Sequence, residues 1–273
     1  MDPVLALGPA TKVVWPGRSA VDITTDGDLD TLRARVLDVL EGRAVDACVQ
    51  PTAGRRKRLL IADMDSTIIS CECLDELADF AGVKAQVSEI TERAMRGELE
   101  FEGALRERVA MLKGLDLSAL QECYDARVRL NPGARTLVRT MAGHGARCLL
   151  VSGGFSFFTG RVRDAAGFHE DRANGLIDDG SRLTGAVTDP ILGREAKLAS
   201  LRGEAARLSI DLSETVAIGD GANDLAMIEA AGLGVAYRAK PVVAARAQAR
   251  IDHSDLTALL YFQGYSDADF VTD

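Results

Sequence analysis

The sequence predicts an α/β fold: a doubly wound parallel sheet, with a helical insertion after its first strand and a small α+β unit in front. Three observations carry this. Short uninterrupted apolar runs recur at 59–62, 148–151, 216–218 and 233–236, as in strands buried on both faces. Stretches with helical spacing separate them. Three of the runs end in turns rich in Asp, Ser or Gly, and open α/β sheets bind ligands beyond the carboxyl ends of their strands.

The elements follow in order. Residues 1–57 read as a small separate region. Lys12 to Trp15 and Ala20 to Thr24 are strand-like, and Leu29, Leu32, Val36, Val39 and Leu40 recur at helical spacing. Ala44 to Val49 reads as one further strand, and the basic stretch Thr52 to Arg58 as a linker. The core then spans 58–70 and 131–262. Between these lie residues 71–130, too long for one crossover. Leu74, Leu77, Ala78 and Ala81, then Val87, Ile90 and Ala94, then Leu105, Val109 and Leu112 repeat with helical spacing, so the insertion is helical. Core helices are expected over Ala134 to Met141, Phe155 to Ala166, Arg194 to Leu208 and Ala222 to Ala231. Asp179-Gly180, inside Asn174 to Val187, signals a β-hairpin. Residues 263–273 form an acidic tail.

Composition bounds the function. The 273 residues are 47% apolar, which excludes disorder over most of the chain. Lys and Arg number 32 against 41 Asp and Glu, a net charge of −9, so nucleic acid is a poor partner. Five cysteines include one Cys-x-Cys, at 71 and 73, without the further ligands that zinc needs. They read as reduced thiols. No run of about 18 apolar residues predicts a spanning helix, and the start Met1-Asp2-Pro3 lacks the basic residues of a secretion signal. A cytoplasmic protein without nucleic-acid or membrane partners is expected.

Four segments carry chemistry. Asp63-Met64-Asp65-Ser66-Thr67 follows the first run. Two carboxylates at the end of a buried strand repel each other and lose hydration, so a cation or a shared proton must compensate. Ser152-Gly153-Gly154 follows the second run. Its hydroxyl and glycines allow close approach to an anion ahead of a helix N-terminus. Gly219-Asp220-Gly221-Ala222-Asn223-Asp224 follows the third. Asp220 sits where it can meet Asp63 across neighbouring strands, and such oxygen ligands suit Mg2+. Asn223 and Asp224 also read as helix caps. Lys197, one of six lysines, opens a helix and by itself signals nothing.

Together these segments resemble the motifs of the haloacid dehalogenase superfamily of phosphohydrolases, and most closely its phosphoserine phosphatase family. Glu72, Ala94-Met95-x-Gly97, Phe101, Arg106-x-Arg108-Val109 and Lys197 extend the match in order over roughly residues 58 to 262. The resemblance implies a core with an inserted helical cap. It implies hydrolysis of O-phospho-L-serine to L-serine and phosphate through an aspartyl-phosphate, the last step of serine biosynthesis. Asp63 would be the nucleophile and Asp65 the general acid and base. Mg2+ would be held by Asp63, Asp220 and the backbone carbonyl of Asp65. Ser152, the Gly153 N–H, Lys197 and Asn223 would bind the phosphate end. Glu72 would meet the substrate ammonium and Arg108 its carboxylate, under an apolar lid of Met95 and Phe101. The protonation of Asp65 would follow from the Asp63 charge and partial desolvation.

Two other readings remain open at this stage. One is a related phosphatase or phosphotransferase acting on another small phosphomonoester, such as phosphothreonine or phosphohomoserine. The other is a phospho-accepting signalling module without turnover, against which the long insertion and Asp65 argue. A small-molecule phosphomonoester is the partner in the first case, and the enzyme would be a monomer or a homodimer.

Overall fold

A computed structural model describes residues 12–95 and 99–272, without the side chains of Glu92, Ala94 and Met95. The expected lid residue Met95 therefore lies outside the described side chains.

The chain opens with β1 (Lys12–Val14) and β2 (Asp22–Thr24), an antiparallel pair, and α1 (Leu29–Leu40). The Asp28 carboxylate caps α1 by accepting from Thr31 N at 2.9 Å. The strand expected over Ala44 to Val49 is not formed. That segment docks through side chains instead. The Asp46 carboxylate accepts the backbone N–H groups of Asp252, His253 and Ser254, the nearest at 2.7 Å. Gln50 Nε2 donates to Phe262 O at 2.6 Å. A stretch tied down this way satisfies its neighbour's backbone without a ladder.

The core begins with β3 (Leu59–Ala62). The helices of the insertion follow: α2 (Cys73–Phe80), α3 (Lys84–Met95), α4 (Phe101–Ala110) and α5 (Ser118–Arg127). Then come α6 (Ala134–Gly143), β4 (Arg147–Phe155), α7 (Ser156–Ala166) and β5 (Glu170–Asn174). The hairpin of β6 (Leu176–Asp178) and β7 (Leu183–Val187) turns through Asp179-Gly180. The hairpin bonds the connection between α4 and α5: Gly114 N donates to Leu183 O and Leu117 N to Ser181 O. The chain ends with α8 (Arg194–Leu208), β8 (Thr215–Gly219), α9 (Leu225–Ala230), β9 (Leu233–Tyr237), α10 (Pro241–Ala244), β10 (Ala249–Ile251) and α11 (Ala258–Phe262).

Six strands form one parallel sheet in the order β10-β9-β8-β3-β4-β5. The pleat of β3 splits the core into two layers. Leu60 and Ala62 pack with Leu137, Met141, Phe158 and Leu259 on one face. Leu59 and Ile61 pack with Leu201, Ala205 and Ile228 on the other. Alternate residues of a strand point to opposite faces, so a run apolar at every position is what a three-layer fold requires. The tail is part of this packing: Tyr265 is 2% exposed, and Val271 N donates to Thr140 Oγ1 at 2.9 Å. Because β3 is central, with β8 and β4 beside it, the turns after these three strands meet at one end of the sheet.

Candidate active site

Asp63 directly follows β3. Its N–H donates to Ile218 O at 3.0 Å, so the ladder with β8 fixes its backbone. The chain then enters a wide turn over Met64–Ile68, closed by Ile69 N donating to Met64 O at 3.0 Å. Within it Asp65 is extended and Ser66 sits in the left-handed region at φ 55, a strained state for a serine. The turn sends the two carboxylates to different partners. Asp63 Oδ1 meets Lys197 Nζ at 2.6 Å. Asp65 accepts from Cys73 N at 2.9 Å and from Ser152 Oγ at 3.2 Å.

Ser152 and Gly153 lie where β4 bulges. Val151 pairs with Arg172, while Phe155 pairs with Asn174 only two residues further along β5. The surplus residues leave the sheet, as bulges beside active sites do. Ser152 Oγ also accepts from Gly154 N at 2.8 Å. A Cβ on Gly154 would lie 2.9 Å from Asp65 Oδ2, so glycine is needed for this approach. The Gly153 carbonyl accepts from Asn174 Nδ2 at 2.8 Å. The same side chain bonds Leu192 N at 2.6 Å and so ties the bulge to the loop before α8.

That helix carries Lys197, which is 1% exposed. Its ammonium bridges Asp63 and Asp224, both at 2.6 Å. Asp224 accepts from Gly221 N at 3.0 Å, which closes the turn after β8. A Cβ on Gly219 would collide with the Asp224 carboxyl carbon at 2.4 Å. Asp220 accepts from Thr67 Oγ1 at 3.3 Å. Asn223 folds its amide oxygen over Gly221.

Ligand oxygens of Asp63, Asp220 and Asp224 lie within 4.8 Å of one another. Among the described residues, these three carboxylates have one ammonium in ion-pair contact, Lys197, so negative charge exceeds positive charge in direct contact at the cluster. The electrostatics register this. Burial, then the Asp224 charge, pushes the Asp63 carboxyl well above its ordinary range, against the pull of Lys197. Burial, Asp224 and Glu72 push Asp220 up to about 6. Burial alone would discharge Lys197, but Asp63 and Asp224 outweigh it and hold the ammonium protonated. A compact set of oxygen donors with such an excess of negative charge fits a hard divalent cation such as Mg2+. Asp65 also rises to about 6, from burial first and the Glu72 charge second. The Glu72 charge, which the sequence did not point to, thus adds to the repulsion between Asp65 and Asp63. The turn points Asp63 toward Lys197 and leaves Asp65 facing Ser152.

The inserted helices supply the outer residues. Glu72 stands exposed at the start of α2 and accepts from Ser66 Oγ at 2.6 Å. Arg108 lies on α4, where its Nε donates to Ala104 O at 3.2 Å. Burial lowers the Arg108 guanidinium, while Asp75 and Glu72 pull it back up, so Arg108 and Glu72 share one electrostatic environment. Phe101, 39% exposed, lays its ring against two core glycines. A Cβ on Gly153 would lie 3.4 Å from it, and one on Gly193 3.3 Å. A cavity of about 270 Å3 adjoins the Asp63 turn, lined by Ser66, Ser70, Asn131, Tyr237 and Arg238.

The structure thus gathers Asp63, Asp65, Ser152, Gly153, Lys197 and Asp220 at the sheet's carboxyl end, with Glu72 and Phe101 above them. The sequence reading missed the pairing of Asp224 with Lys197, as well as Asn174 and Thr67. The signal for Asp224 was its place four residues after Asp220 on a glycine turn. Asn174 had none, since its strand is polar at four of its five positions.

A family model for haloacid dehalogenase-like hydrolases matches residues 60–229. The chain is 47% identical over 208 residues to a protein named phosphoserine phosphatase from Polaromonas sp., covering 74% of this chain and 88% of that one. It is 43% identical to a phosphoserine phosphatase from Streptomyces coelicolor over 90% of this chain, but spans only 60% of that relative. A solved structure described as the phospho-aspartyl intermediate analogue of phosphoserine phosphatase superposes with a TM-score of 0.70 at 36% identity, covering 76% of this chain and 99% of that one. The chain belongs to the haloacid dehalogenase-like hydrolase family, and within it to the group of the phosphoserine phosphatases.

Proposed function

We propose that the protein is a Mg2+-dependent phosphoserine phosphatase that hydrolyses O-phospho-L-serine to L-serine and phosphate, the last step of serine biosynthesis. The observation that carries this is the approach of Asp63 to Asp220 within 4.8 Å, beside the buried Lys197. Residues 58–70 and 131–262 serve as the catalytic core and residues 71–130 as the cap. Residues 12–57 and 263–272 pack around the core.

The phosphoryl group of the substrate binds between Asp63, Ser152, the Gly153 N–H and Lys197, with Asn223 at its edge. An Asp63 carboxylate oxygen attacks phosphorus as the bond to the serine oxygen breaks. Asp65, whose carboxyl titrates at about 6, donates its proton to that leaving oxygen. It then takes a proton from water, whose oxygen attacks phosphorus and releases Asp63. Cys73 N and Ser152 Oγ hold Asp65 in place throughout. The cation would be held by Asp63, Asp220 and the Asp65 carbonyl, and when bound it neutralises charge on the phosphoryl oxygens. Lys197 balances charge from the other side.

Glu72 and Arg108 set the substrate class. Phosphoserine presents an ammonium and a carboxylate, and a guanidinium matches a planar carboxylate with two parallel bonds. Phe101, against Gly153, closes the site from water with Met95. The five free cysteines favour a reducing, cytoplasmic setting, and the enzyme acts as a monomer or homodimer.

The test compares kcat/KM for phosphoserine, phosphothreonine and a sugar phosphate with Mg2+, in the parent and in Arg108→Ala. The variant is expected to raise KM for phosphoserine by roughly 10- to 100-fold, the worth of one charged hydrogen-bonded pair. Its effect on the sugar phosphate should be small. A sugar phosphate preferred over both amino acids, or equal losses on all three, would refute this substrate assignment.

A further inference from the structure

At the opposite end of the sheet, α1 and residues 49–57 enclose a cavity of about 360 Å3 against the starts of β8 and β9. Lys57 lines it and is 8% exposed. Its ammonium donates to Gly54 O at 3.0 Å and Ser213 O at 2.8 Å. Among the described residues no carboxylate lies within ion-pair distance of it. Two carbonyls use two of its three N–H bonds and offer no counter-charge. A buried charge without a partner is costly.

Arg33, on α1, lines the same cavity. One of its terminal nitrogens meets the exposed Asp30 at 3.1 Å and the other donates to Val49 O at 3.4 Å. Its Nε is buried without an acceptor among the described residues. The acids nearby are committed elsewhere. Glu214 is held by Arg58 at 3.1 Å and Asp22 by Arg55 at 2.6 Å. Cys48 supplies no anion either, because burial pushes its thiol up to about 12. The remaining wall includes Leu29, Val49 and Leu233.

We propose that this cavity binds a small organic anion, a monocarboxylate with a short apolar chain, through Lys57 and Arg33. Its two oxygens accept the unused N–H groups and supply the missing charge. Its chain lies on the apolar wall. An amino acid fits less well, because its ammonium would face two cations. Occupancy cross-links α1 and the 49–57 segment to the sheet, so the anion stabilises the fold from a site remote from the chemistry.

The test is thermal melting of the full chain with saturating Mg2+, titrated with sodium butyrate against sodium chloride of equal ionic strength. Butyrate should raise Tm saturably. Arg33→Gln, on a solvated helix face, should shift the midpoint of that titration at least tenfold, and Lys57→Met should abolish the rise. If Lys57→Met does not fold, Arg33→Gln decides alone. No saturable rise, or one unchanged in Arg33→Gln, overturns the proposal. So does a rise produced by inorganic phosphate and weakened by Arg33→Gln when butyrate gives none.

Discussion

Two buried carboxylates on opposite ends of the same sheet have opposite surroundings. Asp63, at the carboxyl end of β3, has one ammonium and shares it with Asp224. Glu204, on α8 near the start of β4, meets three guanidiniums: Arg207 at 2.6 Å, Arg147 at 3.0 Å and Arg172 at 3.4 Å. Both carboxylates are almost wholly buried. Burial and Asp224 drive the Asp63 carboxyl up, whereas hydrogen bonds from Arg207 lead in driving Glu204 below its ordinary 4.5. The same side-chain chemistry is under-compensated at one end and over-compensated at the other. The deficit marks the end that a bound cation would complete. The surplus marks an end built for stability.

The sharpest way to break this contrast is at Asp63. Asp63→Asn keeps the shape and removes the nucleophile along with one of the crowded charges. Turnover of phosphoserine should fall by about three orders of magnitude or more, the scale for losing a covalent catalytic group. The melting temperature without metal should hold or rise, since a destabilising anion is gone. Retention of even a tenth of the parent activity would assign the nucleophile elsewhere.

The two ends also differ in how legible they were. The apolar runs of β3, β4, β8 and β9 announced the sheet's centre because both faces of those strands are buried. The edge strands β5 and β10 carried no such signal. Glu170–Asn174 is charged or polar at four of five positions, as exposed edges are. The acidic residues after the central strands were readable from position alone. The partner of Lys197 was not, because Asp224 sits on a tight turn that also reads as a cap. Glu204 and its arginines were invisible, since 147, 172, 204 and 207 come from three separate elements.

The next effect is pH-dependent. Asp65 and Asp220 titrate at about 6, above the ordinary 3.8. A folded-state value above the unfolded one means the folded chain binds extra protons between the two. That stabilisation is full below about 3.8 and is lost as pH rises through about 6. Metal-stripped protein should therefore melt lower at pH 7.5 than at pH 5. Mg2+ should restore the loss, raising Tm by roughly 5 °C or more at pH 7.5 and by far less at pH 5, where protons compete. An equal Mg2+ shift at both pH values would mean that the cation binds away from these acids.

The smallest effect tests the other end. Glu204→Gln keeps the volume and one acceptor but removes the charge that three guanidiniums share. Breaking a fully buried ion pair costs about 3–5 kcal/mol, but these arginines are 24% to 55% exposed, so water screens part of the loss. A destabilisation of about 1–2 kcal/mol in urea melts is expected. Its pH signature has the opposite sign to that of the active end. Glu204 is depressed below 4.5, so its contribution is present above the unfolded value and lost as pH falls through the folded one. The difference between parent and Glu204→Gln should accordingly shrink toward pH 3 and persist at pH 7. Turnover per folded molecule should not change, because the Glu204 network touches neither Asp63 nor Asp220. A variant that lost activity while keeping its stability would join the two ends of the sheet into one functional unit.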